Sequence, residues 1–275
     1  MAIKLRRANT GDFKLKVPKK IKNIIGDLPY SVETIGLSNS QVFCFDDMVL
    51  KVEKEGEESN NEYQMMAWLH DKLPVPRVLC FEKENGVNYL LMSKIEGDMA
   101  CSPELLADHD SLVKLLANGL RMLWDVNVAK CSYNNSIDNK LKLAKIRVYR
   151  GLCNLDDAYP ITEGENVFEN PQSLLKWLKD NRPEETLVFS HGDYCLPNIF
   201  TKDGEVSGFI DLGRSGKADP YQDIALCYRS LKYNYNGMYG GKVYEGFDPG
   251  ILFNELKLEP DWHKIEYFIL LDELF

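Results

Sequence analysis

Asp193 and Asn198 lie in Val188-Phe-Ser-His191-Gly192-Asp193-Tyr-Cys195-Leu-Pro197-Asn198, and Asp211 follows in Phe209-Ile-Asp211-Leu-Gly213. An acid, an amide and a second acid in that order suit transfer of a phosphoryl group from a nucleotide. One carboxylate orients the acceptor hydroxyl, while the amide and the later carboxylate hold metal ions against the phosphates. Mg2+ takes hard oxygen ligands and keeps several waters, so one or two such groups suffice beside the phosphates. Asp193 is therefore the candidate catalytic residue, and Asn198 and Asp211 are the candidate Mg2+ ligands. A lone His-Gly-Asp is as readily a surface turn. The added Asn198 and the Ile-Asp-Leu-Gly run carry the reading.

These residues need rigid elements on either side. Thr186-Leu-Val-Phe189 and Val206-Ser-Gly-Phe-Ile210 read as short apolar strands, with a turn at Lys202-Asp-Gly-Glu205 between them. Both acids would then stand at strand ends. His191 reads as a support of its loop rather than a base, and Cys195, with no histidine partner in view, as incidental.

A nucleotide site also needs a lysine for the phosphates and a glutamate that holds the lysine. Gln41 to Phe45 and Met48 to Val52 read as a hairpin around Asp46-Asp47, with Lys51 in its second strand. From Asn60 to His70 the residues Glu62, Met65, Met66 and Leu69 recur at helical spacing. Glu62 therefore falls on an apolar face, where a carboxylate is costly without a cation, and Lys51 is the candidate partner. Ile35-Gly36-Leu37-Ser38-Asn39-Ser40 occupies the place of a phosphate-covering loop. It matches neither a Gly-rich kinase loop nor a Walker A sequence, so backbone amides with Ser38 or Ser40 are its candidate anion contacts. The apolar run Asn88 to Met92, leading into Ser93-Lys94-Ile95, reads as a strand that becomes a linker. Met92, Ser93 and Ile95 would then border the purine.

The 275 residues carry 42 acidic and 33 basic side chains, a net charge of -9, and are 44% hydrophobic. Such a chain can bury a large core, and two lobes are expected: 1–96 for the nucleotide and 97–275 for catalysis and the acceptor. The first is strand-rich; the second has helical patterns at Ser111 to Trp124, Gln172 to Asp180 and Asp261 to Leu274. Seven cysteines without a Cys-x-x-Cys pair suit reduced core thiols, and the four histidines lack metal-ligand spacing. The acidic balance without a basic stripe argues against nucleic acid as a partner. No apolar run is long enough for a membrane span or a signal peptide, so a cytoplasmic protein with no membrane partner is expected.

The chain resembles the aminoglycoside phosphotransferases of the 3'-phosphotransferase (kanamycin kinase) type, within the protein-kinase-like fold. The residues that carry the likeness are Val49-Leu-Lys51, Leu73-Pro-Val-Pro76, Leu90-Leu-Met-Ser93, Val188 to Asn198, Gly208 to Gly216 and Leu270-Leu-Asp-Glu-Leu-Phe275. The resemblance implies an α+β bilobal fold, with a small, mainly antiparallel β N-lobe holding one helix and a larger helical C-lobe. It implies ATP or GTP as donor and a hydroxyl of a cationic aminoglycoside as acceptor. It also implies that Asp193 orients that hydroxyl, Asn198 and Asp211 bind Mg2+, and Lys51 paired with Glu62 holds the phosphates. An acceptor bearing several ammonium groups needs converging carboxylates. Glu163, Asp272, Glu273 and the Phe275 carboxylate, the last three at the negative end of a helix, are the candidates.

Two departures stand out. Several family members carry an aromatic ring two residues before the lysine, where this chain has Val49, and Lys232 to Lys242 looks like an expansion rich in Tyr, Asn and Gly. A kinase of choline, homoserine or a sugar, and a catalytically silent nucleotide-binding regulator, are the alternative readings.

Overall fold

The computed structural model describes residues 15–33, 40–155 and 168–275. A short helix α1 (Lys19–Ile25) precedes a five-stranded antiparallel sheet of β1 (Ser31–Glu33), β2 (Gln41–Cys44), β3 (Met48–Lys54), β4 (Val78–Glu84) and β5 (Val87–Ser93), ordered β1-β2-β3-β5-β4. Helix α2 (Glu57–Leu69) connects β3 to β4. In β3 the residues Met48, Leu50 and Lys51 are buried. Leu50 joins Phe43, Phe45, Met48 and Leu91 in an apolar cluster capped by Ile21 and Ile25 of α1.

The chain then forms β6 (Asp98–Met99) and helices α3 (Pro103–Ala107), α4 (His109–Trp124), α5 (Ile137–Tyr149) and α6 (Pro171–Asp180). Helix α4 is strongly amphipathic, burying Leu112, Val113, Leu116, Leu120 and Leu123 on one side, and Asp108 caps it by accepting from the Ser111 amide. Asn170 caps α6 in the same way, which explains why the expected start at Gln172 falls within a residue of the observed one.

Next come β7 (Val188–Ser190), β8 (Ile199–Lys202), β9 (Glu205–Phe209) and β10 (Gly216–Ala218), then α7 (Pro220–Tyr235), α8 (Ile251–Leu256) and α9 (Trp262–Asp272). The expected strand at 186–189 begins two residues later. The expected turn at 202–205 does not join it to the next strand but closes a hairpin of β8 and β9, through Asp203 and Gly204, both at positive φ. Of the expected expansion at 232–242, Lys232 to Tyr235 are the last turn of α7, and Tyr235 stacks on Phe247 with ring centroids 3.6 Å apart. The mixed α+β architecture agrees with the expected kinase-like fold.

Candidate active site

The pairing of β7 with β10 brings the candidate residues together. β10 pairs antiparallel with β7, Gly216 opposite Ser190, so the loop that starts at Asp211 returns beside the loop that holds Asp193. Between them the chain cannot carry side chains everywhere. Gly192 has φ +80°, and a Cβ there would lie 1.9 Å from the carbonyl oxygen of Arg214.

Asp223 of α7 holds the first loop from below. Its Oδ1 accepts from Ser190 Oγ at 3.0 Å and the Gly192 amide at 2.9 Å, and its Oδ2 accepts from the His191 amide at 2.8 Å. Burial raises its pKa, against the pull of His191 and these hydrogen bonds. His191 is fully buried. Its Nε2 donates to Ile210 O at 2.9 Å and its Nδ1 accepts from the Asp193 amide at 3.3 Å, so the ring ties the two acid-bearing loops together. Asp193 itself accepts from Cys195 Sγ on Oδ1 and from Asn198 Nδ2 on Oδ2, each at 3.1 Å. Cys195 is thus a neighbour of the candidate catalytic carboxylate, which corrects the reading of it as incidental. No spacing rule would have found it, because a thiol hydrogen bond two residues on depends on the loop's curvature.

Lys51 Nζ lies 2.8 Å from Glu62 Oε2 and 2.6 Å from Asp211 Oδ1. Glu62 is 2% exposed, on the α2 face that also carries Met65, Met66 and Leu69. Burial alone would lower the lysine's pKa, but Glu62 and then Asp211 outweigh it and hold the ammonium charged well above its usual range. Burial likewise works to raise Asp211, and Lys51 reverses that to a net lowering. Asp211 adopts the left-handed conformation at φ 62°, ψ 50°.

The donor set fits a hard cation. The Asp211 side chain is 49% exposed. Asn198 spends its amide nitrogen on Asp193 O and Oδ2, leaving its amide oxygen for a ligand. Among the described residues no group of three His, Cys, Asp or Glu forms a metal cage. An incomplete shell of oxygens, finished by phosphates and water, is what Mg2+ uses.

In the middle of the sheet, near the end of β5, Met92 is buried opposite the partly exposed Val49 of β3. The Ser93 amide donates to Arg77 O and the Lys94 amide to Asp47 O, each at 2.9 Å. Those two donors are therefore engaged within the protein. The Ile95 amide is the one of the three without a partner among the described hydrogen bonds, and the Ile95 side chain packs on Gly208 of β9. Ser40 sits half-buried just before β2. Ser38 and Glu163 lie outside the described residues.

The carboxylates of the last residues converge on arginines. Asp272 bonds Arg229 Nη2 at 2.5 Å and Arg214 Nη1 at 3.3 Å, and Glu273 bonds Arg229 Nη1 at 3.3 Å. Burial tends to raise Asp272, yet the two arginines, Arg229 first, bring it below its usual value. For Glu273 burial prevails over Arg229 and pushes the carboxyl up to about 7. Arg147 of α5 donates to Leu274 O at 2.7 Å and to Phe275 O at 2.5 Å, and Lys140 Nζ stands 4.7 Å from the Phe275 ring centroid. Arg147, Arg229 and the buried Lys140 were not anticipated. They lie on α5 and α7, outside the motif segments quoted above.

The phosphotransferase enzyme family, as a sequence model, matches residues 34–263. An aminoglycoside 3'-phosphotransferase of Enterococcus faecalis is 37% identical over 273 residues, covering 95% of this chain and 99% of that protein. One of Staphylococcus aureus is 36% identical with the same coverage. An aminoglycoside phosphotransferase from Streptomyces rimosus, solved with ADP and streptomycin, superposes with a TM-score of 0.74 at 25% identity, covering 92% of this chain and 95% of that one.

Proposed function

Given that the chain belongs to the phosphotransferase enzyme family, we propose that it transfers the γ-phosphate of ATP or GTP to a hydroxyl, the 3'-hydroxyl, of an aminoglycoside and so confers resistance to it. The observation that carries the transfer chemistry is the position of Lys51, bonded at once to Glu62 and to Asp211. The acceptor class rests on the 3'-phosphotransferases, which align with nearly the whole chain, and on the streptomycin-bound neighbour.

The geometry supports the following roles. Asp193, fixed by Cys195 and Asn198, orients the acceptor hydroxyl and takes up its proton as the bond to phosphorus forms. Lys51 turns to the phosphates. Asn198 and Asp211 are the residues that would hold Mg2+, which when bound neutralises charge on the phosphates. Catalysis then consists of positioning and electrostatics, with no covalent intermediate on the protein. On the acceptor side, Asp272, held charged between Arg229 and Arg214, is the carboxylate that an ammonium group would share, with Glu273 beside it.

The test is ADP release by the purified protein with MgATP and with MgGTP, across kanamycin, neomycin, choline and homoserine. Aminoglycoside-dependent turnover that Asp193→Ala abolishes is expected. Turnover with choline or homoserine alone would keep the kinase chemistry and overturn the acceptor.

A further inference from the structure

Helix α2 and the loop that carries Asp211 are joined at three points. One is the ion pair of Arg214 Nε with the half-exposed Glu58 carboxylate at 3.2 Å, which is worth little in water. Of the other two, one is ionic and runs from Glu62 through Lys51 to Asp211, and the second is neutral. Asn61, next to Glu62 and 1% exposed, donates from Nδ2 to Gly213 O at 2.9 Å and to Ser215 O at 2.8 Å. Its Oδ1 is buried without a partner among the described residues, so the polar contacts this side chain makes there are those two donated bonds.

The surroundings make the second join a tight one. A Cβ on Gly213 would lie 3.1 Å from the carbonyl oxygen of Glu58, so the loop's backbone rests directly on α2. On its other side the loop is held by Asn135, whose Nδ2 donates to Arg214 O at 2.8 Å. Ser215 Oγ closes the turn onto Leu212 O at 2.7 Å. Asp211 needs such support, because a non-glycine residue keeps a left-handed conformation only where its neighbours over-determine it.

The Lys51 and Asn61 joins have different fates during the reaction. Lys51, still paired with Glu62, must face the phosphates and Asp211 a metal ion, so the Lys51–Asp211 contact loosens when the nucleotide arrives. Asn61 has no second duty. We propose that Asn61 is a positioning residue: its side-chain amide, bound to Gly213 O and Ser215 O, keeps the Asp211 carboxylate in register with α2 while Lys51 and Asp211 are engaged elsewhere. The inference rests on the phosphotransferase reading and deepens it at the same site.

Binding of a fluorescent ADP, titrated once with Mg2+ and once with EDTA, separates this role from a general structural one. In Asn61→Leu, and in Asn61→Asp, which keeps the shape but loses the donors, the gain in affinity conferred by Mg2+ is expected to fall roughly 5- to 30-fold. Affinity in EDTA should stay near the wild-type value. Gly213→Ala, which presses the loop away from α2 with Asn61 intact, should show a smaller loss of the same kind and serves if the Asn61 variants do not fold. Equal losses in Mg2+ and EDTA, or no change in either, would overturn the role. No acceptor enters the measurement, so a wild-type protein that gains affinity from Mg2+ yet phosphorylates no aminoglycoside would count against the acceptor reading alone. A wild-type protein that gains nothing from Mg2+ would overturn both.

Discussion

Cys195 donates a hydrogen bond from its thiol to Asp193, with Sγ 3.1 Å from Oδ1, while Asn198 Nδ2 donates to the opposite oxygen. Burial, with the neighbouring carboxylate, pushes the thiol well above its usual pKa, so the sulfur stays a donor across the physiological range. The carboxylate is thereby fixed in rotation with both oxygens assigned. Asp193→Ala should lower kcat by roughly 10²- to 10⁴-fold and leave nucleotide binding near normal. Cys195→Ser retains a donor and should stay active, whereas Cys195→Ala should lose roughly two- to fivefold in kcat with little change in nucleotide KM. Steady-state kinetics decide it, and equal rates for the Ser and Ala variants would count against an orienting role.

Lys51 is the counter-charge to a carboxylate that is almost wholly out of water. Replacing it with methionine strands Glu62, and breaking a buried pair from one side costs about 3–5 kcal/mol. Urea unfolding should show that loss in Lys51→Met. Adding Glu62→Leu should recover much of it, because the unpaired charge is then gone. A single mutant as stable as the wild type would mean that Glu62 finds water or a proton at little cost.

The Glu273 carboxyl has a definite pH signature. Its folded pKa of about 7 lies above the ordinary 4.5, so the native state binds more protons than the unfolded chain between those values. Its contribution to stability is therefore greatest below pH 4.5 and is lost as the pH rises to 7. Melting temperatures of wild type and Glu273→Gln, compared across that window, should diverge as the pH rises, the variant losing less. Parallel curves would refute the assignment.

Gly192 admits no side chain, because its left-handed φ and the Arg214 carbonyl exclude a Cβ from the same space. Gly192→Ala should push apart the two loops that His191 ties together. Loss of turnover with a lowered melting temperature is the expected result, and an unchanged enzyme would show that the loops are free to separate.

Much of this site could be read from the residues, because short-range chemistry writes itself locally. The hairpin containing Lys51 is marked by two apolar runs around the acidic turn Asp46-Asp47, and helix α2 repeats Glu62, Met65, Met66 and Leu69 on one face. Helices α5 and α7 were harder, for two reasons. α5 places the buried Lys140 in its apolar face, which breaks the period. α7 is buried on several sides from Gln222 to Cys227, so no polar stripe marks it. The strand β8 is four residues long, too short to show a period, so the sequence pattern marks only β9 after the turn at 202–205. The arginines on Asp272 and Glu273 belong to tertiary packing, which no periodicity encodes.

The larger apolar cluster crosses the boundary drawn at residue 96. Met65, Met66, Leu69, Leu90 and Met92 share one contiguous core with Leu116, Leu120, Phe189, Tyr194 and Phe209. The nucleotide-side helix is thus anchored in the same oil as the catalytic loop. Swinging the sheet far from the helices would expose that surface at about 25 cal/mol per Å². On calorimetric heating, both parts should therefore melt together as one cooperative unit rather than lobe by lobe.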